Sequence, residues 1–210
     1  MNRGDTLDLP RFQTGTAKPV AGIDYGEPHP FADWKLPVLE ACIGAWLSEN
    51  PPRLELATLA LDEIERRGND GLRARMRFAH YGYQPIPWLV AAGAAVRKTF
   101  PPELLAAEKT GRPGAHVYVI LRGGYTASSG WYGAYVGVTT RTVAARLAEH
   151  REGGPRSARG LPRHGIEPLW SLFGLLNPVP RAKPARLEWE TRLHEALAPV
   201  VPKVTGDVAY

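Results

Sequence analysis

The chain has 210 residues, 44% of them hydrophobic and 22% charged, with a net charge of +5 and a single cysteine, Cys42. That length is enough for a real core in one or two domains, and the composition is that of a globular protein, neither a disordered chain nor a collagenous one. One cysteine excludes an intrachain disulfide and a cysteine-rich zinc site, and no apolar run reaches the roughly 18 residues that span a bilayer.

Residues 1–30 contain Pro10, Pro19, Gly22, Gly26 and Pro28 among few large apolar side chains, which predicts an extended arm. No amino-terminal apolar stretch follows Met1, so a cytoplasmic location without a membrane is expected, with signal-independent export as the other route. From Trp34 the pattern becomes helical. Leu36, Leu39, Ile43 and Trp46/Leu47 recur at helical spacing, and Pro51-Pro52 stops them. Leu54, Ala57, Leu61 and Ile64 predict a second helix, and Gly68-Asn69-Asp70-Gly71 a turn. Leu72 and Met76 mark a short third helix. Pro85 and Pro87 open an alanine-rich one through Val96, and Pro101-Pro102 a last helical piece to about Lys109. Residues 31–110 thus read as an all-α domain. Arg66, Arg67, Arg73, Arg75 and Arg77 form either a solvated face or a set of phosphate contacts.

Thr110 to Gly114 reads as a boundary, after which strands begin. His116 to Leu121 and Tyr132 to Thr139 are β-rich, and the glycine- and serine-rich segment between them predicts a hairpin with a long loop. Thr140 or Thr142 caps a helix that runs to His150 and ends at Gly153-Gly154-Pro155. Leu169 to Leu176 is a third β-like or buried run. Pro184 begins a helix through about Ala198. From Gly111 to Gly165 the chain carries eight arginines against only Glu149 and Glu152, an imbalance suited to a polyanion such as nucleic acid. Arg141, Arg151, Arg156, Arg159, Arg163 and His164 are the candidate DNA contacts.

Arg146 and His150 are four apart, so on a helix they share a face. Tyr118 and Tyr135 lie on adjacent strands and share a face if the register allows. Glu188 lies on a separate, later helix. Taken singly, each has an ordinary reading: a packing tyrosine, a solvated arginine, a surface ion pair. His116, His150, His164 and His194 match no zinc-ligand spacing.

In order, the set resembles the GIY-YIG endonuclease family over roughly Gly114 to Lys203. His116-Val117-Tyr118 stands for the first tripeptide and Tyr135-Val136-Gly137 for the second. Arg146 and His150, then Arg163-His164-Gly165, then Ala185-Arg186-Leu187-Glu188 follow. Two departures stand out. His116 occupies the glycine position, and no asparagine follows the last helix: either that supporting role is absent, or Thr205 or Asp207 fills it.

The resemblance implies an α+β protein: a small nuclease-like domain over 111–210, with a three-stranded, mainly antiparallel sheet flanked by helices, preceded by the helical domain and the arm. It implies a DNA endonuclease with one Mg²⁺ (or Mn²⁺) held by Glu188 and water. Arg146 would hold a non-bridging phosphate oxygen, and Tyr118 or Tyr135 would take the proton of the attacking water. A phenol of ordinary pKa near 10 needs a nearby cation for that. His150 would share the base role or hydrogen-bond a tyrosine. Repair, restriction, mobile-element and toxin roles all fit, the last implying an acidic immunity or inhibitor protein as partner. The competing readings are a non-catalytic nucleic-acid-binding module on the same fold and a protein-interaction scaffold.

Overall fold

The computed structural model describes residues 18–108, 113–123, 131 and 133–206. The first part of the expected arm, the Thr110–Arg112 boundary, most of the hairpin loop and Asp207 lie outside the described residues.

The helical half follows the apolar spacing. Helix α1 (Leu36–Ser48) buries Leu39, Ile43, Trp46 and Leu47, and α2 (Leu54–Arg66) is buried on most of its circumference. Helix α3 (Leu72–His80) is rotated from the expected face. Leu72 and Met76 are 57% and 63% exposed, while Ala74 and Phe78 face the core. Both pairs are four apart, so periodicity alone fits either face. The larger apolar area of Phe78 wins the buried side. Helix α4 (Leu89–Thr99) starts later than Pro85, and α5 (Pro102–Glu108) follows it.

The described end of the arm packs on the rest of the chain, with Tyr25 buried. At the start of the helical half Phe31 is buried too, packed on Trp34 and Trp46 at 5.0 and 5.6 Å between ring centroids. Arg67 donates to the backbone carbonyls of Phe31, Ala32 and Trp34 and pairs with Glu63. Arg66 also pairs with Glu63, Arg75 with Glu65, and Arg73 approaches Glu40 at 3.9 Å. Of these, Arg67 ties α2 to the chain before α1; the pairs of Arg66, Arg73 and Arg75 are largely exposed and contribute little.

The sheet has more than the three expected strands. Strands β1 (Pro113–Arg122) and β2 (Gly133–Thr139) form the predicted antiparallel pair, in a register that sets Tyr118 opposite Gly137 and Ile120 opposite Tyr135. On the other side of β1 lies β3 (Gly165–Pro168), also antiparallel. The short β4 (Val179–Pro180) pairs with the start of β1, and β5 (Val204–Gly206) runs parallel to β2. The order through the main path is β3-β1-β2-β5. The Leu169–Leu176 run is not a strand. It forms helix α8 (Trp170–Phe173) and a 3₁₀ turn (Gly174–Leu176), with Leu172, Phe173 and Leu176 buried. A continuous apolar run has no alternation to separate a buried strand from a buried helix.

Between β2 and β3 lie α6 (Val143–Glu152) and α7 (Leu161–His164), and α9 (Lys183–Leu197) crosses the sheet. Thr142 is the N-cap of α6: its hydroxyl oxygen accepts from the Ala145 amide at 3.2 Å. Gly153 ends that helix in the left-handed region, φ 74°.

One buried apolar cluster includes residues from both halves of the chain. Phe100, after α4, stacks on Trp189 of α9 at 5.2 Å. Glu55 of α2 and Glu167 of β3 are both buried across the junction. Glu167 accepts from the Glu55 amide at 2.8 Å, and Glu55 accepts from the Ser171 amide at 2.7 Å. Each carboxylate caps a helix of the other half. Among the described residues no helix is long and apolar enough to cross a membrane.

Candidate active site

The two tyrosines meet because of a glycine. Tyr135 and Gly137 are two apart on β2 and therefore share a face. Tyr118 lies opposite Gly137, and the Tyr118 and Tyr135 rings are 6.1 Å apart. A Cβ on Gly137 would fall on the Tyr118 hydroxyl and 2.9 Å from the Tyr135 ring. The second tripeptide thus has a steric meaning here: only glycine lets the two phenols come together over the sheet.

Helix α6 brings the next two residues. His150 is fully buried, and its Nε2 lies 2.7 Å from the Tyr118 hydroxyl. Its Nδ1 accepts from the Ala158 amide at 3.2 Å. Burial, aided by the Arg146 charge, lowers the His150 pKa to about 3, so the ring is neutral at pH 7. With Nδ1 as acceptor, the proton sits on Nε2, an assignment made from these partners. Tyr118 oxygen therefore accepts from His150 Nε2–H. It also accepts from Arg146 Nε at 3.3 Å. Burial raises the Tyr118 pKa to about 12; Arg146 and a hydrogen bond with Tyr135 pull the other way without prevailing. Tyr118 is a phenol at neutral pH, with two donors already aimed at its oxygen.

These groups line a cleft of about 340 Å³ with Thr139, Arg141, Glu149, Arg156, Arg186 and Glu190. Of the expected set, Tyr118, Tyr135 and Arg146 line it, and His150 stands behind Tyr118. Glu188 does not: it is exposed on α9 and absent from the cleft lining, whereas Glu190, only 2% exposed, lines it. Two residues along a helix is a rotation of about 200°, so Glu188 and Glu190 cannot serve the same face. The signal was in the spacing. Glu190 falls on the buried stripe with Leu193 and Leu197, and a carboxylate on an apolar stripe is the one to single out. Glu149 is a further residue of the cleft that no motif marks. It bridges Arg146, at 3.0 Å, and Arg141 within the cleft.

The expected DNA contacts separate into groups. Arg141 and Arg156 line the first cleft, joined by Arg186. Arg159, Arg163 and His164 line a second one of about 720 Å³, together with Arg122, Thr205 and Gly206. Tyr135 borders both. Arg151, at the exposed end of α6, lines neither. Thr205 lies opposite Tyr135 on β5 and accepts from the buried Arg122. His116, in the glycine position of the first tripeptide, pairs with Thr139 at the far end of the hairpin.

The donor that fits a hard divalent cation is the buried carboxylate of Glu190; Glu149, in the same cleft, has both oxygens on arginines. Mg²⁺ is ordinarily held by one or two carboxylates, with water and phosphate completing its shell. Among the described residues no group of three or more histidine, cysteine, aspartate or glutamate side chains is placed to bind a metal. Comparisons with protein-family models, curated proteins and solved structures return no match to this chain.

Proposed function

We propose that the chain is a divalent-metal-dependent endonuclease that hydrolyses phosphodiester bonds in DNA, of the GIY-YIG kind that its motifs resemble. The observation that carries this reading is the convergence of two phenols, an arginine and a buried carboxylate, Glu190, on one cleft. A bordering cleft lined by further arginines gives a polyanion more to bind.

In this reading Glu190, not Glu188, holds the cation. When bound, the cation supplies positive charge at the leaving oxygen and the phosphorane. Arg146 binds a non-bridging oxygen of the scissile phosphate with its planar fork. A water oxygen forms the new bond to phosphorus, the bond to the leaving sugar oxygen breaks, and that oxygen is protonated by solvent. The water proton goes to the Tyr118 phenolate, which His150 Nε2–H and Arg146 Nε–H stabilise. His150 orients Tyr118 and is not itself the base, since its free nitrogen is taken by the Ala158 amide. Tyr135, hydrogen-bonded to Tyr118, orients the water. Toxin-type and mobile-element roles both accommodate this chemistry, and a toxin would have an acidic inhibitor protein as partner.

The test is plasmid nicking in Mg²⁺ by the wild type and by Glu190→Gln. Nicking by the wild type, lost in the variant and absent in chelator, is expected. A wild type that binds DNA without cutting it would leave the non-catalytic binding module as the answer.

A further inference from the structure

Glu149 has no place in the chemistry above, yet it lines the same cleft. Its two carboxylate oxygens face two guanidinium groups, Oε2 on Arg146 and Oε1 on Arg141. Arg146 is 15%, Glu149 22% and Arg141 51% exposed, so the Arg146 side of the bridge is partly desolvated and the Arg141 side is open to solvent. Arg146 also donates to the Tyr118 hydroxyl. The three groups come from one short stretch: Arg141 just before α6, then Arg146 and Glu149 one turn apart on it. A phosphodiester would offer these two arginines the same thing Glu149 does, two oxygens sharing one negative charge.

We propose that Glu149 is the internal counter-ion of the phosphate-binding arginines, occupying the scissile phosphate's place in the resting protein until the substrate displaces it. The proposal rests on the reading of this cleft as a phosphodiester site. Two consequences follow from charge. Glu149 holds Arg146 and Arg141 aimed into the cleft, so the site is preorganised before substrate arrives. It also competes with the substrate, so that a single small anion binds poorly, while a polyanion that gains further contacts in the neighbouring arginine-lined cleft displaces it. Glu149 is thus a positioning and selectivity residue, not a catalytic one.

The experiment uses the full chain and a labelled random-sequence DNA duplex, with affinity measured in chelator over a range of salt, and KM and kcat measured separately in Mg²⁺. Glu149→Gln keeps the shape of the side chain and removes the competing charge. Glu152→Gln, on the exposed end of the same helix and outside the cleft lining, makes the same change in net charge and is the control. Expected for Glu149→Gln is about three- to tenfold tighter binding, from the loss of two partly exposed ion pairs that substrate no longer has to break. The slope of log affinity against log salt should steepen by about one, since one fewer fixed anion faces the DNA. KM should fall while kcat does not rise. Binding that is weaker, or that changes no more than in Glu152→Gln, overturns the role of Glu149. A wild type and variants that all fail to bind DNA at low salt overturn the functional reading itself, and this inference with it.

Discussion

The identity of one carboxylate decides whether the proposed chemistry has a metal ligand. Glu188 and Glu190 are two residues apart on α9, but one is exposed and the other lines the cleft. Glu190→Gln is expected to reduce nicking by about 10²–10³, the usual effect of removing a preorganised charge stabiliser, whereas Glu188→Gln retains it. Initial rates of plasmid relaxation for the two variants check this, and the opposite pattern would return the metal to Glu188. Tyr118 sets the expected pH dependence. Its proton is held by burial to about pH 12, so the phenolate fraction grows about tenfold per pH unit through the neutral and mildly alkaline range. The cleavage rate of the wild type should climb with pH there, and Tyr118→Phe should abolish both the climb and most of the activity. A flat profile in the wild type would remove Tyr118 from the base role. Much of this residue-scale picture was legible in the sequence: the two tyrosines, Arg146 and His150 lie where their order and spacing suggest. Glu190 was legible too, as a carboxylate on an apolar stripe, although Glu188 is the one at the motif position. The bridge made by Glu149 was not legible, because Arg141 precedes the helix and its approach depends on how the chain enters α6.

At the scale of elements, the hairpin and α6 make the site. Gly137 is the steric hinge of the pair, since a methyl group there meets both tyrosines. Gly137→Ala is expected to destabilise by about 1–3 kcal/mol through overpacking and to separate the rings. Chemical denaturation measures the first, and loss of nicking in the still-folded fraction the second. The α6 cap is a simpler case: Thr142→Ala should cost about 1 kcal/mol, with little effect on chemistry in the folded protein. The predicted β1–β2 pair and the predicted α6 are present because their signals are local, a period of two residues and a cap followed by a helical period. Strands β3, β4 and β5 are short, and none carries enough alternation to be seen alone. They exist because β1 and β2 offer them free edges. The Leu169–Leu176 run shows the converse, a strongly apolar segment whose helical form is set by what it packs against.

At the scale of the whole molecule, the two halves are joined by one core and by two buried carboxylates. Burial raises the Glu55 pKa to about 7 and pushes Glu167 well above the ordinary carboxylate range, with the neighbouring Glu55 charge adding to it. A carboxyl group whose folded pKa is raised binds its proton more tightly in the folded state, so its stabilisation is fully present at low pH and is lost as pH rises. For Glu55 the window runs from about 4.5 to about 7, and the loss is on the order of 3 kcal/mol. Glu167→Gln keeps the amide-accepting oxygen and removes one of the two charges. It should raise the melting temperature at pH 8 relative to wild type and leave pH 5 nearly unchanged. An equal shift at both pH values would show that the pair does not titrate with folding. Tyr25 and Arg53 also face this pair electrostatically, so the end of the arm and the start of α2 belong to the same coupled region.

The sequence by itself determined the local elements and the chemical inventory: the helices with a full apolar stripe, the tyrosine hairpin, the Thr142 cap, the helical turn linking Arg146 to His150, and the excess of arginine. Each rests on neighbours in the chain, where period and propensity act. Tertiary structure alone decided which face of α3 is buried and the five-strand order of the sheet. It decided the Nε2 tautomer of His150 through the Ala158 amide, the pairing of Glu149 with Arg141, and the burial of Glu55 against Glu167. Those outcomes depend on competition for buried area and on partners distant in sequence or on different elements, and no local pattern records who will be adjacent after folding.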